Sequence, residues 1–176
     1  MSEDPVRLTA DRNRLTEWVS QFGDAVRGYI FSITQNVTLT EDLTQETFCR
    51  IWQTRHKYTE QGTPKAYLFR VADRICMDHF RKNRKEVNLD CENWADIKVS
   101  DHTQAPFYRM ENQEELVRLR TAMQELSISQ QRVLSLRYFS QMSFSEIAEV
   151  LEMPLNTVLS HAHRGLALLK KQILND

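Results

Sequence analysis

Ser143–Lys170 reads SFSEIAEVLEMPLNTVLSHAHRGLALLK, and its punctuation decides the fold. Ser143 followed by Glu146 is a capping-box pattern, in which the hydroxyl and the carboxylate each satisfy an orphan backbone donor. Ile147, Ala148 and Leu151 then recur at helical spacing. Glu152-Met153-Pro154 turns the chain. A second helix is expected from about Leu155 to Ile173, with Val158, Ala162, Leu166 and Leu169 inward. Small Ala148 stands where two helices must approach closely, and Val158 faces it from the second helix. This is helix-turn-helix spacing, a unit that places the N-terminal part of its second helix in a DNA major groove. Asn156, Thr157, Ser160, His161 and Arg164 would then face DNA. Asn, Ser and Thr hydrogen-bond base edges or phosphate oxygens, and Arg bridges phosphate or guanine.

The same reading extends outward. Upstream, Leu116, Leu119, Met123 and Leu126 mark one helix. Ser127 with Gln130 caps the next, whose core side holds Val133, Leu134 and Leu136 to Tyr138. Toward the N-terminus, residues 11–35 carry a stripe of Phe22, Val26, Tyr29, Ile30 and Ile33. Thr38 with Glu41 reads as the capping box of a second helix. Leu43, Phe48, Ile51 and Trp52 form its buried side, while Asp42, Gln45, Glu46, Cys49 and Gln53 lie opposite. The chain turns around Tyr58 to Gly62. Thr63-Pro64 then starts a helix, with a hydroxyl N-cap and proline at the first helical position. It runs to about Arg84, with Leu68, Val71, Ala72, Ile75 and His79 inward. Arg70, Arg74, Arg81, Lys82, Arg84 and Lys85 stay free for solvent or a polyanion, and such cations supply sequence-independent affinity for phosphates. Tyr58, Tyr67 and Phe69, rings beside cationic groups, suit an unstacked base. Asp73 and Asp78 read as helix-surface charges, and Cys49 and Cys76 as packing residues.

Composition bounds the rest. Four Gly and four Pro among 176 residues argue for long helices over a loop-rich sandwich or barrel. The formal net charge is −1, but its distribution is uneven. Arg70 to Lys85 holds six basic and two acidic residues, whereas Glu86 to Glu115 holds eight acidic and two basic. That change marks a boundary. The expected fold is all-α: two small helical domains, residues 11–85 and 112–174, joined by a flexible acidic linker at 86–111. Leu89, Trp94, Ile97 and Phe107 in that linker either anchor a partner or pack on the chain's own domains. Cys49, Cys76 and Cys91 are odd in number and widely spaced, as befits reduced cytosolic thiols. No apolar run approaches a membrane span and Met1 to Ala10 has no signal-peptide pattern, so a cytoplasmic location is expected. Gly62 and Gly165 form no phosphate-cradling loop. His161 and His163 point apart on a helix, and Cys76 with His79 lacks further ligands. No catalytic residue, metal site or cofactor is expected.

These residues resemble a known family. Glu41-Asp42-Leu43-Thr44-Gln45-Glu46-Thr47-Phe48 with Ile51-Trp52 resembles region 2.2 of sigma factors of the extracytoplasmic-function (ECF) group. Ala66 to Ala72 and Asp78-His79-Phe80-Arg81-Lys82 resemble regions 2.3 and 2.4. Leu126 to Phe139 resembles region 4.1, and Ser143 to Leu151 with Thr157-Val158 resembles region 4.2. The resemblance implies a non-enzymatic initiation factor. Asp42, Gln45, Glu46 and Arg50 would dock on the clamp helices of core RNA polymerase. Region 2 would read and melt the promoter −10 element through Tyr58, Tyr67, Arg70, Arg74, Arg81, Lys82, Arg84 and Lys85, with a base flipped toward the Tyr58–Thr63 turn. Region 4 would read the −35 element. An anti-sigma factor is an implied partner. Leu159 and His161 stand where the family often has basic residues, Tyr67 where it often has Trp, and Arg74 where it often has Asn. A competing reading, a stand-alone helix-turn-helix regulator, leaves residues 38–85 without a role. A helical adaptor with no DNA affinity is a third.

Overall fold

The computed structural model describes residues 5–58, 62–86 and 113–174. The expected linker at 86–111, including Cys91, lies almost wholly outside them. Helix α1 spans Pro5–Thr34 and α2 Val37–Gln53; a 3-10 turn at Arg55–Lys57 follows, then α3 at Pro64–Glu86. The second half holds α4 (Gln113–Gln124), α5 (Ile128–Tyr138), α6 (Phe144–Leu151) and α7 (Leu155–Leu174). The described residues contain no strand.

In the first half, α2 and α3 pack on α1 and on each other. Their apolar stripes meet in a core that includes Val26, Ile30, Leu43, Ile51, Leu68 and Ala72. Burial of each Val, Ile or Leu among them contributes roughly 1.5–3 kcal/mol. The N-cap of α2 is Asn36, not Thr38: its side-chain oxygen accepts from the Leu39 amide at 2.9 Å. Asn is at least as strong a cap as Thr, and it stands one residue before the helix. Glu41, freed from capping, pairs instead with Arg27 of α1. Thr63 does cap α3, accepting from the Ala66 amide at 3.2 Å. Gly62, at φ +93°, makes the left-handed turn just before it.

In the second half both expected capping boxes are present, Ser127–Gln130 on α5 and Ser143–Glu146 on α6. The Ser143 backbone amide and hydroxyl both donate to Glu146, holding its carboxyl below the usual carboxylate range. The core stripe of α7 differs from the expected one. It runs through Val158, Ala162, Gly165 and Leu169, while Leu166 is 40 % exposed. Gly165 faces α5 here: a Cβ would lie 2.8 Å from Leu134 Cδ1, so the end of that side chain would have to shift to admit one. Tyr138, expected in the core, is 58 % exposed at the end of α5. Cys49 is likewise exposed on α2, whereas Cys76 is buried.

The two halves are docked: α1 packs on α5, and α3 packs on α6. At the centre of the dock lies Asp73, which the sequence pattern puts on a helix surface but which is only 4 % exposed. Arg132 of α5 donates Nε to Oδ1 at 2.7 Å and Nη2 to Oδ2 at 2.5 Å, a bidentate fork. Tyr29 of α1 donates its hydroxyl to Oδ1 at 2.6 Å. The Ser32 and Ser135 hydroxyls meet nearby at 2.7 Å. Burial, and then the Asp73 charge, push the Tyr29 hydroxyl and the Cys76 thiol well above their ordinary values. Burial alone would lower the Arg132 value, but the Asp73 hydrogen bonds and charge outweigh it and raise it.

Arg132→Met leaves a buried carboxylate unpaired and should cost roughly 3–5 kcal/mol in urea unfolding, whereas Asp73→Leu with Arg132→Met should recover most of that loss. A raised tyrosine value favours the neutral hydroxyl in the fold. Its stabilising contribution is therefore complete below the free-tyrosine value of about 10 and lost as pH rises from there through the folded value. Urea midpoints measured across alkaline pH should fall, and Tyr29→Phe should flatten that fall while losing about 1 kcal/mol at neutral pH.

Candidate nucleic-acid interface

On α2 the helical period places Asp42, Gln45, Glu46 and Arg50 together on the exposed face opposite Leu43 and Ile51. Arg50 and Glu46 form an i,i+4 pair at 3.4 Å with both side chains about half exposed. Such a pair contributes only tenths of a kcal/mol and is readily exchanged for a partner's charges.

The cations of α3 are less free than expected. Arg70 is half-buried, and its Nε is buried without a hydrogen-bond partner. Arg74 is exposed but forms an ion pair with Glu152, in the turn between α6 and α7. Arg81 pairs with Asp78 at 3.2 Å, and Lys82 is exposed. The side chains of Arg84 and Lys85 lie outside the described ones. Arg74 was expected to be free because its partner lies 78 residues along the chain, beyond any local pattern. Between α3 and α6 runs an open cleft of about 380 Å³. Its walls include Asp73, Arg74, Met77, Arg132, Leu151 and Glu152.

The aromatic cluster is composed differently from the expected one. Phe69 is fully buried and packs edge-on against Tyr29 at 5.7 Å, so it belongs to the core. Tyr58 and Tyr67 lie 5.0 Å apart and share Trp18 of α1, 5.0 Å from Tyr58 and 6.2 Å from Tyr67. Arg14 lies against Trp18 at 5.5 Å and Tyr58 at 5.3 Å, held by Asp11 at 2.6 Å. The remaining cavity is only about 10 Å³, room for a water at most. A base entering here must displace Arg14 or part the rings. Trp18 had a signal in the sequence: it stands four residues before Phe22, on an extension of the same stripe.

The helix-turn-helix is formed as its punctuation implies. Glu152 caps α6 in the left-handed region at φ 53°, its amide donating to the Ala148 carbonyl. The Thr157 and Val158 amides donate to the Pro154 carbonyl, which starts α7. Asn156 and Arg164 are exposed; Thr157, Ser160 and His161 are half-buried. Leu155 and Leu159 are also exposed, at 43 % and 40 %. Among the described residues no group of His, Cys, Asp and Glu is placed to hold a metal ion, and no helix is long and apolar enough to cross a membrane.

Residues 18–86 match the family Sigma-70 region 2, and residues 116–169 match Sigma-70, region 4. The chain belongs to the sigma-70 family, in its ECF group. It is 28 % identical over 165 residues to the ECF RNA polymerase sigma factor SigM of Bacillus subtilis, covering 92 % of this chain and 98 % of that one. It is 26 % identical over 147 residues to SigX of the same organism, covering 82 % and 76 %. Its fold is similar to that of the sigma factor RpoE in complex with the anti-sigma factor NepR from Bartonella quintana. The TM-score is 0.77 at 20 % identity, covering 92 % of this chain and 97 % of that one. This sigma factor therefore works by directing RNA polymerase to promoters, and the regulator reading leaves the region 2 match without a role.

Glu152→Asn keeps a residue that tolerates the left-handed turn but removes the Arg74 pair. Because that pair is exposed, thermal stability should change by less than about 1 kcal/mol. Fluorescence anisotropy at low salt should report tighter binding of the isolated chain to duplex DNA, since one more cation is released.

Proposed function

We propose that the exposed face of α2, with Asp42, Gln45, Glu46 and Arg50, docks this sigma factor on core RNA polymerase. In that complex α3 and the Trp18–Tyr58–Tyr67 cluster engage the −10 element. Arg70, Arg74, Arg81, Lys82, Arg84 and Lys85 neutralise backbone phosphate, and the rings stack on an unpaired base. The exposed side of α7, with Asn156, Thr157, Ser160, His161 and Arg164, reads the −35 element. The observation that carries this reading is the order of the parts: a region 2 match containing the cationic α3 and the rings, then a region 4 match containing the helix-turn-helix.

The docked arrangement bears on how the parts work. Glu152 holds Arg74, and α6 lies on α3. We infer that the halves separate when polymerase is bound, so that the whole of α3 reaches DNA. The domain bounds follow as residues 11–85, a tether at 86–111, and 112–174. Two modules on one tether gain avidity when both engage at once. The factor acts in the cytoplasm, where polymerase is, and by binding alone, without catalysis. The RpoE structure that shares this fold is in complex with an anti-sigma factor. A protein of that class is the regulator we propose here, holding the factor until it is released.

The test is co-elution of the full chain with bacterial core RNA polymerase, followed by run-off transcription from a promoter library. Stable binding and promoter-dependent transcripts are expected. Asp42→Lys with Glu46→Lys should abolish co-elution while leaving the circular dichroism spectrum unchanged, because both positions are exposed. A chain that ignores core polymerase, or a double variant that binds as before, would overturn the assignment.

A further inference from the structure

The part of α7 that enters the groove first has an unusual chemistry for a DNA-reading surface. From Leu155 to His163 it carries no Asp, Glu, Lys or Arg, and Arg164 is its first permanent cation. No permanently charged side chain attracts phosphate at this tip, and discrimination must come from contacts to base edges. Two large apolar side chains nevertheless stand exposed there, Leu155 at 43 % and Leu159 at 40 %. Leaving such side chains in water forgoes the gain from burying them. The core does not need them: Val158, Ala162, Gly165 and Leu169 face α5 and the rest of the half.

Leu159 is one turn beyond Leu155 and three residues beyond exposed Asn156. Residues at those separations are neighbours on a helix surface. An amide and an isobutyl group thus lie side by side on the groove-facing side. In the major groove an A·T pair offers two features that suit them. Adenine presents N6 and N7, which an Asn side chain meets with two hydrogen bonds, and thymine presents its 5-methyl group, which accepts only apolar contact. A G·C pair offers no methyl group and gives Leu159 nothing to bury against.

We propose that Leu159 is a specificity-determining residue that reads a thymine 5-methyl group in the −35 element, beside an adenine read by Asn156. The proposal rests on the assignment of α7 to the −35 element. Leu159 selects thymine by burying its own methyl groups on that of the base, so the preference is insensitive to salt, whereas the contribution of Arg164 weakens as salt rises.

The experiment uses the chain bound to core RNA polymerase. A randomised −35 library is selected for binding, and each thymine of the selected sequence is replaced in turn by deoxyuridine, which lacks only the methyl group. One replacement is expected to weaken binding about fourfold, the change that corresponds to one buried methyl group. That loss should vanish in Leu159→Ala, a change at an exposed position that a helix tolerates well. If a −35 preference is selected but no thymine shows the loss, or Leu159→Ala still shows it, this inference fails while the assignment of α7 stands. If no −35 preference is selected at all, both fail together.

Discussion

One carboxylate organises this molecule. Asp73 sits in the middle of α3, and its two oxygens take three donors, one from α1 and two from α5. A buried charge is tolerated only when it is paired and hydrogen-bonded. In the docked form Asp73 therefore requires Arg132, and the pair fixes how the second half sits on the first. The rest of the interface follows from that placement. With α5 against α1, α6 lies along α3, and the turn after α6 brings Glu152 to Arg74. A buried pair of this kind contributes little net stability compared with an apolar contact of the same size. Its effect here is on register, because one arrangement of the halves satisfies it and sliding leaves two charges unpaired.

The docked form also divides the chemistry of the surface. The face of α2 opposite the core stays open in it. The cationic helix α3 stays open only in part, because Arg70 is half-buried and Arg74 is engaged while Arg81 and Lys82 are exposed. The rings of Trp18, Tyr58 and Tyr67 are closed on one another and on Arg14. Docking thus engages part of the cations and rings proposed to meet DNA, while leaving exposed the face of α2 proposed to meet polymerase. A factor so arranged has little electrostatic reason to remain on DNA by itself.

The helices were legible from the chain because their signals are local. Ser127 with Gln130, Ser143 with Glu146, and Thr63 with Pro64 each place a helix start correctly. Local rules fail where two candidates compete, as at Asn36 and Thr38, and where the partner is remote. Nothing near Asp73 in sequence distinguishes it from the exposed Asp78, since the arginine that buries it lies 59 residues away. Leu166 and Gly165 are a related case. The apolar residue looks like the inward one, yet it is the glycine that faces Leu134 where α5 and α7 come close. The site residues divide in the same way. Faces set by helical period, as on α2, could be read directly. Occupancy by a partner across the dock, as at Arg74, could not.

The 59-residue separation of Asp73 and Arg132 also orders events in time. A ribosome adds about 5–20 residues per second, so Asp73 exists for about 3–12 s before Arg132 has been made. During that interval α1, α2 and α3 can already pack, since their contacts are their own, but the carboxylate has only the Tyr29 hydroxyl and no cation. Each molecule therefore begins as an undocked region 2, with Arg74 not yet engaged by Glu152. Closure has to wait for α5, and until then the face of α3 that carries Asp73 stands open.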